Sequence, residues 1–197
     1  MGRVARAPMQ WFLYVVGGLA LVVSAAFGGF APVKQAEPVL KVGEVNAGTP
    51  WNVKITSVRL VGSLEPQVRL KDPADHWLAV IAEVEITDVE SRSDIRDIIL
   101  VKDVPGILHD EFNGDGDEFA REVVVTSDGT RVTTLHPGLT EKVAFLWEVK
   151  PDTVPTQVEV QIMGKTHRKS SLTDLMEWLD LAPRAVLTAP VEDKRNG

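Results

Sequence analysis

The 197-residue chain contains no cysteine. It forms no disulfide, has no thiolate for catalysis or zinc, and offers no sulfur for a diacyl lipoprotein anchor. Its stability has to come from core packing. Charge is missing from one long stretch, because no Asp, Glu, Lys or Arg stands between Arg6 and Lys34. Histidine is sparse: His76, His109, His136 and His167 lack the spacing that would bring two onto one face of a helix or strand. A zinc site built from a local pair is therefore not expected. G-x-S-x-G, P-loop and H-E-x-x-H motifs are missing, and so are internal repeats. Carboxylates are numerous but scattered. The chain reads as a non-enzyme, with no catalytic residue, no cofactor and no built metal centre.

The uncharged stretch is informative for what it does contain. Trp11 to Ala31 (WFLYVVGGLALVVSAAFGGFA) is apolar throughout. About 20 such residues, rising ~1.5 Å each as a helix, cover the ~30 Å hydrocarbon core of a bilayer. Arg3 and Arg6 ahead of the run favour a cytoplasmic N-terminus, and Trp11 and Tyr14 suit the headgroup level. Residues 1–10 are thus expected in the cytoplasm, 11–31 as a transmembrane signal anchor and 32–39 as a linker. That makes a single-pass cell-membrane protein with its C-terminal domain outside the cytoplasm. The alternative is secretion after signal cleavage behind Val23-Ser24-Ala25 or Ser24-Ala25-Ala26. The apolar run continues through Phe27 and Phe30, beyond the roughly 7–15 residues of a signal core, and so favours the anchor. Within it, Ala20, Ser24 and Gly28 repeat at four-residue spacing with Gly17 nearby, a small-residue face that a second membrane helix can approach closely.

The formal charge is −7, and setting aside the two positive charges of Arg3 and Arg6 leaves −9 on the remainder. Such acidity speaks against nucleic acid and against anionic headgroups as binding partners. The roughly 160 residues after the span are an ordinary single-domain length. Pro32 to Val39 (PVKQAEPV) carries two prolines and reads as an extended spacer.

A period of two begins at Trp51, where Trp51, Val53 and Ile55 face one way and Val58 and Leu60 resume one residue out of step. The slip predicts a bulge near Thr56-Ser57. Trp77–Ile86, Ile95–Val101, Glu122–Thr126 and Thr130–Leu135 follow as strands, with turns at Asp103-Val104-Pro105-Gly106 and Ser127-Asp128-Gly129. Glu141–Val149 places Val143, Phe145, Trp147 and Val149 inward, and Gln157–Met163 does the same with Val158, Val160 and Ile162. Short strands without helical crossovers predict an all-β antiparallel sandwich over residues 40–164. Trp51, Trp77 and Trp147 are expected in its core.

Residues 165–197 read differently. Ser171 can cap a helix in which Leu172, Leu175, Met176 and Leu179 share a face, Asp174 sits in the first turn and Pro183 ends it. Such a helix would cover one open end of the sandwich or, alternatively, bind a partner with Trp178 as its exposed anchor, and Arg184–Ala189 would be an edge strand or tail. The densest acidic stretch, Asp110 to Glu118, imitates a calcium loop at Asn113, Asp115 and Asp117. Glu118 then stands where a glycine is required, and Val124 where a bidentate glutamate is required.

Three stretches, Trp51–Val58 (WNVKITSV), Leu78–Ile86 (LAVIAEVEI) and Leu135-His136-Pro137-Gly138 followed by Val143–Trp147 (VAFLW), resemble the DUF4352-type, MPT63-like immunoglobulin domains of actinobacterial exported proteins. The likeness covers Val39 to Met163. It implies an immunoglobulin-like sandwich in a bacterial envelope protein and carries over no catalytic residue. The expected function is an anchored, non-catalytic interaction or accessory module for another envelope or membrane protein. The alternative is a secreted or anchored domain that binds a ligand or calcium.

Overall fold

Among the described residues the alternating apolar pattern resolves into nine strands: β1 (Val45–Asn46), β2 (Trp51–Val61), β3 (His76–Ile86), β4 (Ile99–Lys102), β5 (Glu118–Phe119), β6 (Glu122–Val125), β7 (Thr140–Val149), β8 (Gln157–Lys169) and β9 (Met176–Asp193). The structure, a computed structural model, describes residue 14 and residues 36–108 and 118–195. The anchor segment, with Gly17, Ala20, Ser24 and Gly28, lies outside the described residues, as do Asn113, Asp115 and Asp117. Among the described residues no helix is long and apolar enough to cross a membrane.

The domain spans Glu37–Gly197 and is an all-β sandwich. One layer joins β6, β7, β3, β2 and β1, all antiparallel. The other joins β5, β4, β8 and β9, also antiparallel. The last strand ties the layers together: after leaving β8 it pairs in parallel with β2, Val58 to Leu60 against Val191 to Asp193. Val53, Ile55, Leu60, Val80, Val84, Phe145 and Trp147 of the first layer meet Val101, Val160, Ile162, Ala185 and Leu187 of the second in one core. Inward and outward residues alternate as the pleat requires.

The slip in β2 is where the sequence places it, with the register to β3 shifting between Ile55 and Ser57. Thr56, left over by the shift, donates its hydroxyl to the Ile81 carbonyl at 3.0 Å. Two predicted strands are altered. Ile95–Ile98 winds into a 3-10 turn before β4 starts at Ile99. Thr130–Leu135 makes isolated bridges, Arg131 to Val124 and Leu135 to Arg92, rather than a strand. In the turn after β4, Gly106 has φ +75°, and a Cβ there would lie 2.1 Å from the Thr153 hydroxyl oxygen. Only glycine fits both demands.

The outer face of the first layer is covered too. The segment between β2 and β3 folds over it, so that Val68 packs with Trp77, Ala79, Val124, Ala144 and Leu146 as a satellite core. Trp51 and Trp147 are in the main core, as expected, but Trp77 belongs to this outer cluster.

The C-terminal helix is replaced by a strand. β8 continues through Lys169, turns at 170–175, and returns as β9, with Thr166 opposite Leu179, His167 opposite Trp178 and Lys169 opposite Met176. A helix from Ser171 to Pro183 would be near the marginal length for water and would leave the end of β8 without a partner. Pairing satisfies that backbone instead. Buried Ser170 caps the turn, accepting the Leu172 and Thr173 amides at 3.3 and 3.4 Å, and Asp174 takes the left-handed φ of +63° that aspartate tolerates. Pro183 lies where the β8–β9 register shifts, a place that does not need its missing N–H. Residues 184–189 pair with β8 on one side and are bridged at Val186 by Val39 on the other, and β2 flanks β9 only from Val191 onward.

Phe145 is fully buried between the layers. Phe145→Ala is expected to cost about 3–5 kcal/mol, read as a lower urea midpoint with the slope unchanged.

Candidate functional site

Where the β8–β9 hairpin leaves the sandwich, its base is held by charges brought from distant parts of the chain. Lys165 of β8 reaches the segment before β4, with Nζ 2.5 Å from Asp94 Oδ2 and 2.8 Å from Asp97 Oδ2. Arg92 donates Nε to Asp94 Oδ1 at 2.9 Å and Nη1 to Asp88 Oδ2 at 3.4 Å. Asp88 in turn accepts the indole Nε1 of Trp178 at 2.6 Å. The Trp178 ring lies against His167, centroids 4.8 Å apart, with the Arg92 guanidinium 6.0 Å away. Trp51 adds a neutral tie beneath, its Nε1 donating to the Met163 carbonyl at 2.6 Å. Trp178 is therefore not an exposed anchor on a helix. It is half-buried on a strand, where it fastens the hairpin to the 88–97 segment.

The electrostatics of this network have a definite sign. Burial acts to raise the Asp94 carboxyl, but hydrogen bonds from Arg92 and Lys165 outweigh it and hold the group below its ordinary 3.8. Burial likewise acts to lower the Lys165 ammonium, and Asp94 and Asp97 overcome it, raising the group above 10.5. The carboxylate's contribution is complete above the unfolded value and is lost as pH falls through the folded one. The ammonium's is complete below 10.5 and is lost as pH rises through its folded value.

A second polar tie lies on the outer face of the first layer. Glu148 of β7 is 1% exposed. Its Oε1 accepts the Lys71 and Asp72 amides, and its Oε2 meets the Arg121 guanidinium, which stacks 5.5 Å from the Trp77 ring. This fixes the segment between β2 and β3 over the satellite core.

The histidines are separated. His76 is buried with Nε2 2.8 Å from the Thr153 carbonyl oxygen, His136 Nδ1 pairs with Ser91 Oγ at 2.8 Å, and His109 lies outside the described residues. Ser91 and His136 reinforce two reciprocal backbone bonds between Arg92 and Leu135. Among the described residues no three His, Asp or Glu side chains are grouped to hold a metal ion. A cleft of about 190 Å³ beside β1 is lined by Asn52, Lys54, Glu83 and Glu85, but these pair across strands, Lys54 with Glu83 at 3.0 Å and Asn52 with Glu85 at 3.2 Å.

Beyond the network the hairpin carries apolar side chains into solvent: Leu172 is 94%, Leu175 63% and Met176 58% exposed. Sequence spacing alone assigns these residues to a helix face. The signal that decides otherwise is that Lys165 to Lys169 continue β8 directly, which gives the return segment a strand to pair with.

No family model matches the sequence, and no curated protein matches it. Among solved structures, the chain is similar to an uncharacterized β-sandwich protein from Clostridium difficile 630, at 10% identity and a TM-score of 0.48, covering 80% of this chain and 98% of that one.

Two outcomes follow. Asp94→Asn lowers stability at pH 7, and its deficit relative to the wild type shrinks as pH falls below 3.8, which denaturant midpoints across pH 2.5–7 measure. Arg121→Met leaves the buried Glu148 carboxylate without its cation and costs about 3–5 kcal/mol, measured by thermal and urea unfolding.

Proposed function

We propose that this chain is a single-pass membrane protein whose domain stands outside the cytoplasm. The domain works as a non-catalytic interaction or accessory module for another envelope or membrane protein. On this reading it is an immunoglobulin-like sandwich of the DUF4352-type, MPT63-like kind. The observation that carries the proposal is where the polar side chains go. Asp88, Arg92, Asp94, Asp97 and Lys165 close on one another to brace a hairpin, and Glu148 closes on Arg121 and two backbone amides to brace a loop. Charged groups spent on holding a shape suit a scaffold that presents a surface. Ahead of this domain stands the uncharged run Trp11–Ala31, with the length of a span and the small-residue face Gly17, Ala20, Ser24 and Gly28 for a second membrane helix.

The test begins with membranes washed in alkaline carbonate. The protein should remain in the pellet with residues 11–31 intact by mass spectrometry of its N-terminus. Mild-detergent purification should then bring a second membrane or envelope protein in fixed ratio, and Gly28→Leu should reduce that ratio about tenfold. Release by carbonate overturns the anchor, and purification of the chain alone at full yield overturns the accessory role.

A further inference from the structure

The β8–β9 hairpin is an extension of the sandwich that ends in apolar side chains. Its turn, at residues 170–175, presents Leu172 and Leu175, and Met176 opens the returning strand; all three are exposed. The charges on the hairpin close on each other, Arg168 with Asp180 and Lys169 with Asp174, the latter at 2.9 Å. Between these pairs and the apolar turn stands Glu177, whose carboxylate accepts the Thr173 hydroxyl at 2.6 Å.

The N-terminal segment joins the domain beside the same hairpin strand. Val39 bridges Val186 of β9 in parallel, the Leu40 amide donates to the Val186 carbonyl at 2.8 Å, and the Val186 amide donates to the Pro38 carbonyl at 3.0 Å. Parallel pairing fixes direction. β9 runs away from the turn, so residues 38–40 run away from it as well, and Pro38 lies on the side of Leu40 toward which the hairpin projects. Other exposed apolar residues lie toward this end: Leu139 precedes Thr140, which pairs with Glu85 near the Trp51 end of β2, and Val89 follows Asp88, the partner of Trp178.

The distances agree with this direction. From Val186 back to Met176 are ten strand residues, about 33 Å at ~3.3 Å each. From Val39 back to Ala31, the end of the uncharged apolar run, are eight residues, which reach at most about 29 Å. If the run crosses a bilayer, the hydrocarbon edge at Ala31 lies within that reach of Val39. A turn about 33 Å out on the same side then extends at least about 4 Å past it, into the headgroup–acyl boundary where apolar groups bury by about 5–10 Å.

We propose that Leu172, Leu175 and Met176 at the hairpin turn dip into the outer leaflet of the membrane that the N-terminal segment crosses, giving the domain a second point of attachment that fixes its orientation. The proposal rests on the anchored reading above. The occupant is lipid, held by apolar burial rather than by headgroup charge, in keeping with the acidic domain and with a hairpin that carries no excess of cations. The network at the hairpin base keeps the strand pair rigid enough to act as a strut.

The chain has no cysteine, so single labels can be placed without background. The full chain carrying Leu172→Cys, Leu175→Cys or, at the opposite end of β8, Val154→Cys is labelled with an environment-sensitive fluorophore. It is reconstituted into phosphatidylcholine nanodiscs, with and without brominated acyl chains. Labels at 172 and 175 are expected to shift to the blue and to lose about twofold in intensity to brominated lipid, unchanged by high salt, while the label at 154 stays in water. Water-like emission at 172 and 175 in a chain that resists carbonate overturns the second attachment and leaves the anchor standing. A blue shift that brominated lipid does not quench, with disulfide-linked dimers of the unlabelled Leu175→Cys chain, shows a protein contact in place of lipid and also overturns it. A chain that carbonate releases defeats the anchored reading, and this inference with it.

Discussion

The double pairing of β9 is the constraint on which the rest of the structure depends. One strand lies antiparallel to β8 over most of its length and then parallel to β2. Without a disulfide, this continuous backbone ladder ties one layer to the other, and the two faces it brings together bury the main core. The same strand, followed the other way, leaves the sandwich and becomes the outer half of the hairpin. Closure of the domain and projection of its turn are consequences of one strand being longer than the layer that holds it.

A projecting strand pair needs lateral support, since an isolated two-stranded ribbon is marginal in water. The support joins charged and aromatic groups in one network. Lys165 sits between Asp94 and Asp97, and Trp178 is held by Asp88 and flanked by His167 and Arg92. These groups are partly buried, so their attractions are less screened than those of surface pairs. The ion pairs farther out, Arg168 with Asp180 and Lys169 with Asp174, are exposed and contribute mainly neutrality.

Much of the sandwich was legible because its strands alternate. A sheet with one face in a core writes that face into every second residue, as Val143, Phe145, Trp147 and Val149 do, and even the bulge in β2 appears as a phase slip. The hairpin was not legible for the opposite reason. Leu172, Leu175 and Met176 are exposed, so no buried face imposed a period of two, and their spacing matched a helix by default. The bracing network was hidden by distance along the chain: Lys165 is 71 residues from Asp94, and Trp178 is 90 from Asp88. Charged residues scattered in sequence carry no sign of which will meet. The outer cluster shows a further limit, because Trp77 announces burial without saying on which side of the sheet.

Placement of the apolar turn follows from pairing geometry alone. Because Val39 lies parallel to β9, the direction of the incoming chain and the direction of the hairpin are one fact, and neither can be reversed without breaking the Val186 bonds. On the anchored reading proposed above, a tether that enters beside this strand would allow the domain few orientations against the membrane. An apolar turn on a hairpin of arbitrary direction would be a solubility liability. Under the proposed anchoring it would be placed to meet lipid instead. The exposed leucines and the partly buried salt bridges beneath them would then act together, the charges supplying stiffness and the turn the proposed contact.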